Sequence, residues 1–172
     1  APTSKGGLGF HCLHTHNPCL LLKTLTKVHS LGSGTLDSWL ANSYGWEGGN
    51  YIGYNNRFHT PIWKDITSVL PFFRSITRVN IGNNVSTAFW LDLWLPNSTH
   101  TLAHLFPAMF SHSNRPNTSV ARALATPDLH LELTPRLSHT AERELNDLRN
   151  ILATVNMNSQ VPDCRTSREA GN

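Results

Sequence analysis

Between Ser138 and Val155 the apolar residues Ala141, Leu145, Leu148, Ile151, Leu152 and Val155 recur at a spacing that puts them on one continuous helical stripe. No other segment dictates local structure so strongly. Ser138 suits the N-cap, and Glu142 and Glu144 fall in the first turns, where negative charge complements the helix dipole. From Asn156 onward the chain turns polar, and residues 156–172 read as a frayed, disordered tail.

Weaker helix signals precede this one. Asn17-Pro18 reads as an N-cap followed by proline at the first helical position, after which Leu21, Leu22, Leu25 and Val28 keep helical spacing up to Gly32. Thr35 can cap a short helix holding Leu36, Trp39 and Leu40, and Gly45, Gly48, Gly49 and Gly53 then read as a surface loop. Thr60-Pro61 repeats the cap-then-proline signal, with Ile62, Ile66, Val69 and Leu70 on one face until Pro71 stops the helix. Leu102–Phe106 and Ser119–Leu124 read as short helices, and Leu129–Leu133 alternates like an edge strand. Ser75–Ile81 and Val85–Leu93 are rich in β-branched and aromatic residues around Gly82-Asn83-Asn84, the strongest hairpin signal in the chain. The predicted fold is therefore α+β, mainly helical, with one prominent β-hairpin at about residues 75–93. No repeat or low-complexity linker divides residues 1–172 into two units.

Charge and cysteine usage narrow the function classes. Of the 172 residues 39% are hydrophobic and only 15% charged, a composition that leans on neighbours rather than one for a disordered tail. The net charge of +3 and pI near 9.0 are compatible with a polyanion but do not require one. The apolar run Cys19–Leu22 is far too short for a signal peptide or a membrane span, so an intracellular protein, cytoplasmic or nuclear, is expected. Three cysteines, Cys12, Cys19 and Cys164, leave an odd count and read as reduced thiols, with Cys19 inert on the leucine face of the first helix.

Candidate chemistry is thin. His11, Cys12, His14, His16 and Cys19 crowd ligating side chains together, but a closed zinc site needs a second ligand pair at a suitable distance, and none follows. Chance combinations such as Cys12 with His104 lack a nucleophile signature. Gly6-Gly7-Leu8-Gly9 lacks the spacing and the lysine-hydroxyl ending of a phosphate loop. Asp92 lies between Trp90 and Trp94 with no second carboxylate near it, which suits a strand-end or turn role better than catalysis. No catalytic residue, metal ligand or cofactor is expected in this chain. Lys23 and Lys27, one turn apart on a helix, and Arg74 and Arg78, at the start of the predicted hairpin, are the candidate phosphate contacts; the plainer reading of all four is a solvated face.

Several segments, in their order, resemble the carboxyl-terminal part of plant non-LTR retrotransposon reverse transcriptases, the LINE-like polyproteins. They are Lys5-Gly-Gly-Leu-Gly-Phe10, Asn17-Pro-Cys-Leu-Leu-Leu-Lys23, Ile81-Gly-Asn-Asn84 running on to Phe89-Trp-Leu-Asp-Leu-Trp94, Leu105-Phe-Pro-Ala-Met-Phe-Ser-His112, and Leu133-Thr-Pro-Arg-Leu-Ser138. The likeness runs from about Lys5 to Asp163, and the Phe-Trp-x-Asp-x-Trp element is its most specific part. Asn84 stands where the family usually has glycine, a change that a left-handed turn tolerates. The family's catalytic Tyr/Phe-x-Asp-Asp lies upstream of this region and its Cys/His zinc-binding segment downstream, and neither occurs here.

The resemblance implies a fragment between the polymerase domain and the zinc-binding segment, whose parent copies RNA into DNA with two magnesium ions. It implies as partners the rest of the polyprotein and the backbone of RNA or DNA, with no membrane. An alternative expectation is a domesticated or decayed fragment acting as a protein-interaction module through exposed Trp90 and Trp94, or a pseudogene remnant. A metal-dependent hydrolase built on the early His/Cys cluster ranks behind both.

Overall fold

The computed structural model describes residues 13–29, 60–126, 129, 131–155 and 161–168, together with positions 39, 43, 46–47 and 50–51. The helix predicted from Thr35 and the glycine turn at residues 5–10 lie outside the described residues, apart from Trp39. The fold is mainly helical α+β. The helices whose bounds fall among the described residues are α1 (Leu13–His29), α2 (Pro61–Ser68), α3 (Leu70–Ile76), α4 (Leu102–Leu105), α5 (Pro107–Ser111), α6 (Val120–Ala123) and α7 (His139–Leu152). Two antiparallel strand pairs accompany them: β1 (Trp46–Glu47) with β2 (Asn50–Tyr51), and β3 (Thr77–Asn80) with β4 (Cys164–Ser167). The β1–β2 pair, with Glu47 opposite Asn50, falls inside the glycine-rich stretch read as a loop.

Local signals place most helices. Ser138 Oγ accepts the backbone N–H of Ala141 at 3.2 Å, and Ala141 and Leu148 are fully buried on the inner face of α7. Thr60 caps α2, Ser119 caps α6, and each helix starts next to its cap. Two proline readings need correction. α1 begins at Leu13, and Pro18 sits inside it, where the ring removes one hydrogen bond without ending the helix. Pro71 does not close a helix but lies in the first turn of α3, where its missing N–H has no intrahelical partner to lose. The buried face of α2 is Trp63 and Ile66; Ile62 points outward, 64% exposed.

The 75–93 hairpin is the larger correction. Thr77–Asn80 is a strand, but its partner is β4, with Thr77 opposite Ser167 and Asn80 opposite Cys164. Residues 85–93 form turns instead. The Asp92 carboxylate accepts the N–H of Ala88 at 2.7 Å, the Asp92 N–H reaches the Ala88 carbonyl, and the Trp94 indole N–H donates to the Phe89 carbonyl at 2.8 Å. A run of consecutive large residues that are buried on all sides has no strand alternation to enforce. Residues 161–168, expected to fray, are ordered because β4 supplies β3 with its ladder. Among the described residues of 129–133 there is an isolated bridge between Ser113 and Leu133 rather than a strand, and Leu131 is buried.

Two apolar clusters result. The larger gathers Phe89, Trp90, Trp94, Leu102, Met109 and Val120 against Leu148 of α7; Phe89 and Trp90 meet edge to face at 5.0 Å. The smaller packs Leu25 and Val28 of α1 on Trp63, Ile66, Leu70 and Phe73 of α2 and α3. Trp90 and Trp94 are 0% and 2% exposed, so the anchors expected of an interaction module are core residues. No helix among the described residues is long and apolar enough to cross a membrane.

Candidate functional site

Where the two clusters meet, the chain buries charge. Asp92 is 1% exposed, held between two guanidiniums that lie far from it in sequence. Arg165 of β4 grips it with both forks, Nη1 to Oδ1 at 3.0 Å and Nη2 to Oδ2 at 2.8 Å, and Arg74 of α3 brings Nε to 3.4 Å of Oδ1. Arg165 also donates to the Thr77 hydroxyl at 3.1 Å and stacks over the Phe73 ring at 5.2 Å. Arg74 donates to Asn117 Oδ1 at 3.2 Å. Burial by itself would raise the Asp92 carboxyl; Arg165 and Arg74, with the Ala88 N–H, outweigh it and hold the group below the ordinary carboxylate range.

His29, the last residue of α1, completes the cluster. Its Nδ1 lies 2.9 Å from the Leu25 carbonyl and its ring 5.0 Å from that of Phe73. Burial drives its pKa down to about 3, with Arg165 and Arg74 adding to the effect and Asp92 and the Leu25 carbonyl opposing it. The imidazole is therefore neutral at physiological pH, its Nδ1–H donating to the carbonyl. A carboxylate locked by two arginines is a poor proton acceptor, so this cluster ties α1, α3, the 89–94 turn and β4 together rather than offering a general base.

A second carboxylate is coordinated beside it. Asp163 Oδ1 accepts the backbone N–H groups of Gly82 and Asn84 at 2.7 and 2.8 Å, and Oδ2 accepts the Ser86 N–H, the Ser86 hydroxyl and the Thr87 hydroxyl at 3.1, 3.0 and 2.7 Å. Asn84 takes φ 64°, the left-handed conformation expected at that position. Gly82 is needed for space: a Cβ there would collide with the Val161 carbonyl and lie 2.8 Å from the Pro162 oxygen. A cavity of about 670 Å³ runs along β4, walled by Leu22, His29, Phe73, Ile76, Val161 and Arg165 among others.

The four predicted phosphate contacts separate. Lys23 and Lys27 are exposed on α1, opposite the buried Leu25 and Val28. Arg74 is buried and ion-paired, and Arg78 is half-buried with its guanidinium on the carbonyls of Leu95 and Ser98, so both serve inward contacts and that expectation is corrected for them. Cys19, expected to be buried, is an exposed free thiol, because the inner face of α1 is set by Leu25 and Val28. The rest of the early His/Cys cluster lies outside the residues whose side chains are described. Among the described residues no three His, Cys, Asp or Glu side chains converge as a metal site would require. Sequence reading missed Asp163 and Arg165, whose partners come from distant segments, and His29, whose ring packs on Phe73 of another helix; Arg165 and Asp92 are 73 residues apart. Comparison with protein-family models, with curated proteins and with solved structures finds no match for this chain.

Proposed function

We propose that this chain is a non-catalytic segment of a non-LTR retrotransposon reverse transcriptase, lying behind the polymerase core, supporting that core and touching the RNA or DNA backbone through Lys23 and Lys27. The observation that carries the backbone contact is the pairing of two exposed lysines one helical turn apart on the outer face of α1, whose inner face is fixed by Leu25 and Val28. The supporting role draws on exposed Ile62 and Phe72, 64% and 57% accessible on adjacent helices, a surface suited to further protein. Among the described residues no ligand set for the magnesium of the parent polymerase converges. The rival interaction module would draw on the same apolar surface, since Trp90 and Trp94 are buried and cannot serve as anchors.

The test is binding of the full chain to a fluorescent RNA–DNA hybrid across a salt series. Each phosphate neutralised contributes roughly 0.9 to the slope of log K against log salt, so Lys23→Gln with Lys27→Gln should flatten the slope by about 1.8. Binding that is absent, or a slope that the double variant leaves unchanged, sinks the backbone contact. Membership of the parent polyprotein is tested separately in the source genome, by an upstream Tyr/Phe-x-Asp-Asp and a downstream Cys/His segment in frame.

A further inference from the structure

The segment Val161–Arg168 is held much as a bound peptide would be. Four ladder pairs join β4 to β3, and three side chains reach out from it. Asp163 enters the ring of five donors from Gly82, Asn84, Ser86 and Thr87; Arg165 reaches the Asp92 carboxylate; and Arg168 donates to the carbonyls of Ser75 and Thr99 at 3.2 and 3.4 Å. Asp163 and Arg165 are two residues apart, so the pleat turns both to the same side, toward receptors fixed in other parts of the chain. The segment contributes little apolar burial of its own. Val161 is 51% exposed, and Pro162, Cys164, Thr166, Ser167 and Arg168 are exposed as well. The 670 Å³ cavity borders the segment and is lined by Asp163 and Arg165 together with residues of α1 and α3.

We infer that the cleft formed by β3, the Gly82–Thr87 loop and the Asp92 carboxylate is a strand-docking site that reads an Asp-x-Arg sequence, and that the Val161–Arg168 segment of a second copy of this chain enters it in place of the resident one. Directional polar anchors set the specificity and main-chain pairing supplies the ladder, the mode of strand addition at a sheet edge. The donor ring selects a carboxylate, because three backbone N–H groups and two hydroxyls converge on one side chain and offer no site for a cation. Two residues on, the buried Asp92 selects a guanidinium with two parallel hydrogen bonds, which lysine cannot match. At Gly82 the absence of a side chain lets the incoming backbone approach. A resident strand that leaves exposes little apolar surface of its own, and Asp92 keeps Arg74 as a partner, so exchange does not dismantle either apolar cluster.

The test uses the full chain carrying Asp163→Ala, which loosens the resident strand and leaves the receptor intact, with a labelled synthetic peptide of residues Val161–Arg168 as the probe for the second copy's segment. The wild-type peptide should bind, raise the melting temperature of the variant by several degrees, and compete with unlabelled wild-type chain. The same peptide carrying Asp163→Ala or Arg165→Ala should bind at least about tenfold more weakly. Absent binding, or equal binding by the altered peptides, overturns the inference. Should the Asp163→Ala chain fail to fold alone, refolding only with the wild-type peptide present supports the site; if it does not refold with either, the full chain carrying Arg168→Ala, which keeps both receptors and both main anchors, is put to the same readouts and decides.

Discussion

At the residue scale one carboxylate organises the middle of the molecule. Asp92 is charged, fully withdrawn from water and flanked by Arg165 and Arg74, an arrangement in which removing one member strands the others. Asp92→Ala leaves two arginines without their counter-ion and should cost about 3–5 kcal/mol in denaturant unfolding. Its depressed pKa has a definite sign: the stabilisation is present above the unfolded-state carboxyl pKa and is lost as pH falls toward the lower folded value. His29 titrates over a window closer to neutrality. Its folded pKa of about 3 lies below the unfolded value of 6.5, so between these limits the unfolded chain binds a proton that the folded chain refuses, and stability declines as pH falls from 6.5 toward 3. Between pH 7 and 5 this loss amounts to about 2 kcal/mol. His29→Gln should remove that part of the pH dependence, seen by comparing urea midpoints of the two proteins at both pH values; an unchanged difference would show that His29 is not the group responsible. Asp92 reads from the sequence as a strand-end or turn residue, of which the structure has the turn, but its two arginines were invisible because nothing local ties residue 92 to residue 165.

Among the elements, those written by local rules were legible and those written by pairing were not. α2, α6 and α7 fall where caps and spacing put them, since a Ser or Thr side chain satisfies orphan N–H groups of the turn that follows it in sequence, and α4 falls where expected without a side-chain cap. Ser138→Ala should therefore lower stability by about 1 kcal/mol, and Ser138→Asp should restore most of it in the same thermal melt. Glu144 adds a tertiary tie that no helix rule foretells, its carboxylate accepting the Met109 N–H of α5 at 2.7 Å. The strand elements went the other way. A β-rich stretch on each side of Gly-Asn-Asn invited a hairpin, but the Phe89–Trp94 run buries side chains in all directions and closes on itself through Asp92, leaving β3 open to a partner 84–90 residues on. Of the four proposed phosphate contacts, the two on the predicted amphipathic helix kept their outward positions, while Arg74 and Arg78 did not, because α3 and β3 turn them toward acceptors the sequence does not pair with them.

Across the whole molecule, the last described segment acts as a clasp. β4 pairs with β3, Arg165 neutralises the buried charge between the two apolar clusters, and Asp163 fixes the Gly82–Thr87 loop. A chain ended after Val155 would lose all three at once, and should melt cooperatively but at a midpoint several degrees lower, with the near-ultraviolet tryptophan signal of the larger cluster retained; an unchanged midpoint would mean that β4 is ornamental. What the sequence by itself determined was the mainly helical α+β class, most helix starts and the apolar face of α7, because spacing and capping act over a few residues and water enforces them locally. Only the tertiary structure decided the partner of β3, the burial of Trp90 and Trp94, and the meeting of Asp92 with Arg74, Arg165 and His29. Each of these depends on segments brought together from far along the chain, where hydrogen-bond satisfaction and the cost of burying an unpaired charge, rather than any local preference, select the arrangement.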